Sequence, residues 1–264
     1  MSPRAFAVAA HPDDIEFMMA GTLILLGRAG YELHYMTIAN GSCGSERLDG
    51  GAIAAIRRQE AMAAAALVGA TYHESLVDDL EVLYELETLR RLAAVMREVG
   101  PQIVLTHWPD EYMEDHSNTS RLVCTAAFAR GMPNFRTDPA RPAIGVPVTI
   151  YHAMPYGLRD PLRQLVRPEM WVDVSDVIGK KRRMLALHES QKAWLDASQG
   201  IDAYLDRMEE MCAQMGHLSG EYRYAEGWTR RLHLGYSAPE ADPLGDVLVG
   251  RCCHSDAEPP MPHR

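Results

Sequence analysis

Residues 4–23, RAFAVAAHPDDIEFMMAGTL, decide how this chain is read. Ala5 to Ala10 is an apolar run that reads as a buried strand. It breaks at His11-Pro12-Asp13-Asp14, and a helical pattern starts around Ile15 to Met19. In an open α/β sheet, ligands bind in the crevice beyond the carboxyl ends of the strands, so this first turn points its side chains into such a crevice. His11 and Asp14 stand three residues apart, close enough to share one divalent ion, and Asp13 stands between them as an unligated base. A plainer reading is open at this stage: Asp13 or Asp14 also suits a helix N-cap, and His11 a hydrogen-bonded turn.

Downstream, strands and helices alternate. Gly21 to Gly30 reads as a helix closed by Gly30, and Glu32 to Ile38 as a second strand ending in the turn-rich loop Asn40 to Ser45. That loop has neither phosphate-binding glycine spacing and is expected to line the crevice. An Ala-rich helix over Ala52 to Leu67 carries Arg57, a candidate for hydrogen-bonding a polar substrate. Thr71 to Leu76 is a third strand with Asp78-Asp79 at its end, and an amphipathic helix then closes at Gly100-Pro101. Ile103 to Thr106 is a fourth strand, running into His107-Trp108-Pro109. The spacing predicts a single α/β domain with a Rossmann-like, mostly parallel sheet and helices on both faces.

The segment after the fourth strand, DEYMEDHSNTSRLV, should also end over the crevice. It places His116 ahead of a helix over Thr119 to Arg130, with Ser117, Asn118 and Thr119 as capping candidates. His116 can then meet His11 and Asp14. Two histidines and one carboxylate with a position left for water form the donor set of a hydrolytic zinc site, and the same set also suits Fe(II). Farther on, two Pro-bearing connections, Gly131 to Pro147 and Met154 to Pro168, flank a fifth strand, and one of them is expected to wall the pocket. Trp171 to Val174 reads as a last strand, Asp176 to Trp194 and Ile201 to Met215 as helices. Residues 1–236 form the domain, and 237–264 read as a flexible tail.

With 264 residues and 47% hydrophobic composition the chain can bury a sizeable core. Its net charge of −10 argues against nucleic acid or an anionic membrane surface as main partner. No run approaches a membrane span, and the N-terminus lacks the pattern of a signal peptide. Five cysteines, an odd count without zinc-knuckle spacing, agree with a cytoplasmic location. The Cys252-Cys253-His254 triplet is given little weight as a metal site. A homo-oligomer is compatible with all of this.

The motifs AHPDDIEF, Asp115-His116, KKRRMLALHESQ and YAEGW, in that order over roughly the first 230 residues, resemble the LmbE-like (PIG-L) family of zinc-dependent N-deacetylases. The resemblance implies a Rossmann-like fold, His11, Asp14 and His116 as metal ligands, and Asp13 as general base. It implies a small-molecule N-acyl amine substrate, an amino sugar derivative such as one of N-acetylglucosamine. Arg57, Asp78 and Tyr112 become candidates for substrate contacts, while Asp115 and His188 are expected to orient neighbours. Two departures stand out. Met113 replaces the first histidine of the family's HxDH segment, and a thioether neither stabilises an oxyanion nor protonates an amine. Tyr112, His107 or the metal itself would have to substitute; otherwise the protein is a non-catalytic relative. Met18-Met19 stands where small residues are usual, which also suits a hydrolase of longer acyl amides or esters.

Overall fold

The computed structural model describes residues 2–191 and 203–255. Eight strands form one sheet: β1 (Arg4–Ala9), β2 (Glu32–Thr37), β3 (Thr71–His73), β4 (Ile103–Thr106), β5 (Thr149–Ala153), β6 (Met170–Asp173), β7 (Ala225–Arg230) and β8 (Cys252–His254). Their spatial order is β3-β2-β1-β4-β5-β7-β6-β8. The first five strands pair in parallel, whereas β7, β6 and β8 pair antiparallel.

Alternation along the strands explains why both faces are covered. Ala5, Ala7 and Ala9 of β1 enter one apolar core, while Phe6 and Val8 enter a second. Ile103 and Leu105 of β4 join the first, and Val104 the second. A strand buried on both sides reads as an unbroken apolar run, which is how β1 looks in the sequence. The first core lies under α1 (Asp14–Met18), α2 (Ala20–Arg28), α3 (Gly50–Leu67), α6 (Ile178–Ala186) and α7 (Ala203–Ser219). The second lies under α4 (Leu86–Val99) and α5 (Glu114–Ala129).

The chain crosses from one side of β1 to the other between β3 and β4, so the sheet's switch point lies beyond the carboxyl ends of β1 and β4. Several expectations shift by a few residues. The β3 strand stops at His73, and α5 begins at Glu114, with Met113 rather than Ser117, Asn118 or Thr119 at the N-cap position. His116 therefore sits in the first turn of α5. The predicted helix over Asp176 to Trp194 is interrupted: α6 ends at Ala186, Glu189 to Gln191 are helical again after the break at Leu187-His188, and Lys192 to Trp194 lie outside the described residues.

The expectation of a tail from residue 237 does not hold for its described part. Asp242 caps a short helix, α8 (Pro243–Val247), by accepting from the Gly245 N–H. Leu244 is fully buried and Leu248 is buried with it in the first core, and Cys252 to His254 pair with β6 as an edge strand. Apolar burial and a strand ladder hold this segment, despite its Pro- and Gly-rich composition. Cys252 and Cys253 are neighbours on that strand, so they point to opposite faces. No metal-holding group includes them among the described residues.

Candidate active site

Most candidate residues lie at a strand end or a helix start, which is where this fold gathers side chains, while Arg57 reaches in from the middle of α3 and His188 follows the end of α6. His11 to Asp14 follow β1, Asn40 to Gly44 follow β2, Asp78 to Leu80 follow β3, and His107 to His116 follow β4. They surround a cavity of about 440 Å³ lined by both polar groups and the side chains of Phe17, Met18, Met113, Tyr156 and Tyr204. This is within the size range of small-molecule sites.

Asp14 is its hub. Its Oδ2 accepts the His11 backbone N–H at 2.7 Å and lies 3.5 Å from His11 Nδ1 and 3.4 Å from His116 Nε2. His11, Asp14 and His116 offer donor atoms within 4.8 Å of one another, and His107, Glu111 and His116 form a second such group. The nitrogen of each ligand candidate that faces away from Asp14 is engaged by a carboxylate. His11 Nε2 lies 2.9 Å from Asp115 Oδ2, and His116 Nδ1 lies 2.8 Å from Glu111 Oε2. That carboxylate–imidazole arrangement is how proteins orient histidines toward a metal. Two imidazoles and a carboxylate, each so buttressed, fit a divalent ion.

Charge follows the geometry. Burial pushes the Asp14 carboxyl up, but the imidazoles around it, His116 first, then His107 and His11, hold it well below the usual carboxylate range. Burial lowers His11, and hydrogen bonds to Asp115 and Asp14 outweigh it, raising the imidazole to about 10.

Asp13 is placed differently. It occupies the N-cap position of α1 at φ 110°, ψ −23°, a region side-chain-bearing residues rarely adopt, and its side chain makes no capping hydrogen bond. The plainer reading of Asp13 as a cap is thereby excluded. Its Oδ2 accepts the Tyr204 hydroxyl at 2.7 Å and lies 3.4 Å from Arg57 Nη2. Burial raises the Asp13 carboxyl, and the Asp14 charge adds to this against the opposing Arg57 guanidinium.

Arg57 is only 4% exposed, and its Nη2 also donates to the Pro12 carbonyl. It makes no ion pair with Glu60, which instead accepts from the Ser190 N–H and hydroxyl. The loop after β2 wraps this guanidinium. Gly41, at φ 83°, would bring a Cβ to 2.5 Å from Arg57 Cδ, so only glycine fits there.

Other candidates separate. Tyr112 lines the cavity and meets the His116 ring edge-on, with centroids 5.4 Å apart. Asp115 also accepts the Leu80 N–H at 2.8 Å, so it ties His11 to the loop after β3. Asp78 does not line the cavity: its Oδ1 accepts from Asn40 Nδ2, and the neighbouring Asp79 faces the cavity and accepts the Gly41 and Cys43 N–H groups. The reason is local, since a turn at a strand end reverses which of two adjacent carboxylates faces inward. His188 is buried behind the cavity wall, 3.4 Å from Glu16 Oε2, which also accepts the Tyr35 hydroxyl at 3.1 Å. Of the two long connections, the later one walls the pocket, through Tyr156.

Sequence reading passed over Glu111, Glu16, Asp79, Tyr156, Gln191 and Tyr204. Glu111, five residues before His116, was the findable one, because an acidic residue beside a histidine-rich strand end suits a buttressing carboxylate. Tyr204 reaches Asp13 from 191 positions away and has no local signature.

The chain is similar to known proteins. Residues 6–127 match the family model described as PIG-L: GlcNAc-PI de-N-acetylase. A diacetylchitobiose deacetylase of Thermococcus kodakarensis is 29% identical over 230 residues, covering 85% of this chain and 81% of that protein. A 4-oxalmesaconate hydratase of Pseudomonas putida is 29% identical over 185 residues, covering 67% of this chain and 69% of that protein. Among solved structures, the N,N'-diacetylchitobiose deacetylase from Pyrococcus horikoshii shares the fold with a TM-score of 0.73 at 24% identity, over 92% of this chain and 89% of its own.

Proposed function

We propose that this chain, whose residues 6–127 match the PIG-L family model, is a PIG-L (LmbE-like) metal-dependent hydrolase that removes an acetyl or other acyl group from the amine of an N-acyl amino sugar or related small molecule. One observation carries the reading. At the floor of a ligand-sized cavity, two buttressed imidazoles and a carboxylate converge beside Asp13, whose side chain is spared from helix capping.

His11, Asp14 and His116 would hold the ion, zinc by preference, although the donor set also suits Fe(II). When bound, such an ion supplies Lewis-acid polarisation of an acyl carbonyl and acidifies a water molecule. Asp13 does the proton work: Tyr204 and Arg57 hold its Oδ2, and Oδ1 is left to take a proton from the attacking water and pass it to the departing nitrogen. Met113 lines the cavity but has no proton to donate. His107 does not replace the missing histidine, because its Nε2 accepts the Ala10 N–H and its Nδ1 is engaged by Glu111. Tyr112 takes that part. Burial, with Asp14 and Glu111, pushes its hydroxyl above the usual range, so it stays protonated as a donor to the carbonyl oxygen.

A second reading rests on the hydratase relative, as similar in identity as the deacetylase, together with Met113. In it the same base delivers water to a carbon–carbon double bond of an unsaturated carboxylate. The acidic composition and odd cysteine count favour a cytoplasmic site of action on a dissolved substrate. A homo-oligomer is compatible with the chain's exposed apolar side chains, such as Leu232 and Leu234.

The deciding experiment offers the zinc-loaded protein N-acetylated and longer N-acylated amino sugars beside unsaturated carboxylates. Primary amine should appear from the first set. Loss of alkene absorbance from the second set, with no amine released from the first, would replace this reading with the hydratase one.

A further inference from the structure

One buried carboxylate touches both halves of the site. Glu111 lies in the loop between β4 and α5, its side chain 1% exposed. Oε2 is 2.8 Å from His116 Nδ1, and Oε1 is 3.1 Å from His107 Nδ1. An ionised carboxylate only accepts, so each imidazole presents a proton at Nδ1.

An independent contact supports the same assignment at His107. The Ala10 N–H donates to His107 Nε2 at 2.9 Å, closer than the Asp14 Oδ2 at 3.4 Å, so that nitrogen accepts and carries no proton. The two rings stack with centroids 4.1 Å apart and 23° between planes, which blocks a flip of either ring alone. The consequences run in two directions. Through His116, Glu111 leaves Nε2 bare and facing Asp14 at 3.4 Å. Through His107, it fixes the last residue of the strand run that delivers His11 and Asp14.

We propose that Glu111 is the positioning residue of the metal site, one carboxylate setting the tautomer of two imidazoles and thereby the placement of all three ligands. The inference rests on the reading of His11, Asp14 and His116 as that site. Glutamine at 111 keeps the shape but offers one acceptor and one NH₂ group, so one imidazole must reverse its tautomer.

The test measures Zn²⁺ affinity by chelator competition for wild type and Glu111→Gln, with thermal stability of both in chelator. The variant should bind zinc about 10–100-fold more weakly, while its metal-free melting temperature stays close to wild type. Equal affinity in the two proteins overturns the role of Glu111. Absence of stoichiometric zinc binding in wild type overturns instead the metal reading beneath it. A second measurement needs no variant: ¹⁵N spectra of the histidines in zinc-loaded wild type should show His107 protonated at Nδ1 and bare at Nε2. A proton on His107 Nε2 contradicts the proposal even if Glu111→Gln does not fold.

Discussion

Two clusters of buried charge flank α1, and they are built to opposite ends. Ahead of the helix, Asp13, Asp14, His11, His116 and Arg57 border an open cavity. Behind it, Glu226 on β7 accepts the Gly21 and Thr22 N–H groups at 2.8 and 2.7 Å and the Lys181 ammonium at 2.6 Å. Trp228 on the same strand donates its indole N–H to the Thr22 hydroxyl. In the second cluster a carboxylate at the amino end of α2 meets its cation and two backbone donors, and Lys181 is fully buried. It is a clasp joining β7, α2 and α6. Burial of charge therefore does not mark the site. What marks it is charge left facing a cavity, with an acid at φ 110° and no cap bond.

The sharpest way to break the comparison is to open the clasp. Lys181→Met leaves Glu226 buried with only its two backbone donors. The loss should be about 3 kcal/mol of stability, toward the low end for breaking a buried pair. Denaturant titration reads it, and turnover per folded molecule should be unchanged. A variant of full stability, or one folded but inactive, would mean that the clasp belongs to the site.

The smaller effect is in pH. Burial pulls the Lys181 ammonium down, yet Cys212 and Glu226 outweigh it and hold it above its ordinary 10.5. A raised cation stabilises fully below the unfolded value and ceases to do so as pH rises through the folded one, so the clasp weakens only above about 10.5. The parallel half behaves oppositely. Burial lowers His34, on β2, to about 4 with His73 adding to it, and lowers His152, on β5, to about 4. These imidazoles fold neutral, and their contribution is present above about 6.5 and is lost as pH falls toward 4. Melting temperature should decline progressively across that window. His34→Gln with His152→Gln should flatten the decline, and an unchanged slope would contradict the assignment.

How much was legible in the sequence follows the same division. Strands β1, β2 and β4 are readable because alternation and turn residues are local signals. His11, Asp14 and His116 are readable because strand ends in this fold converge. Tyr204 acts through a contact made only in three dimensions, and no local pattern announces it, whereas His107 and Glu111 are announced only by their place beside the end of β4. Asp78 and Asp79 differ by one position in a turn, a register that no pattern resolves. The motifs KKRRMLALHESQ and YAEGW are read only as family motifs, and in the structure Lys181 and Glu226 within them build the clasp while Gln191 reaches the cavity. The residues after 236 look like a tail by composition, although Asp242-Pro243 followed by Leu244 and Leu248 is a capped, apolar helix start in plain view.

The central claim is that Asp13 moves the proton while His11, Asp14 and His116 hold the ion. Asp13→Asn in zinc-loaded protein tests it most directly, with metal content and amine release measured on the same sample. The variant should keep one zinc per chain and lose about 10²–10⁴ of its turnover. Full zinc content with undiminished amine release would contradict the claim.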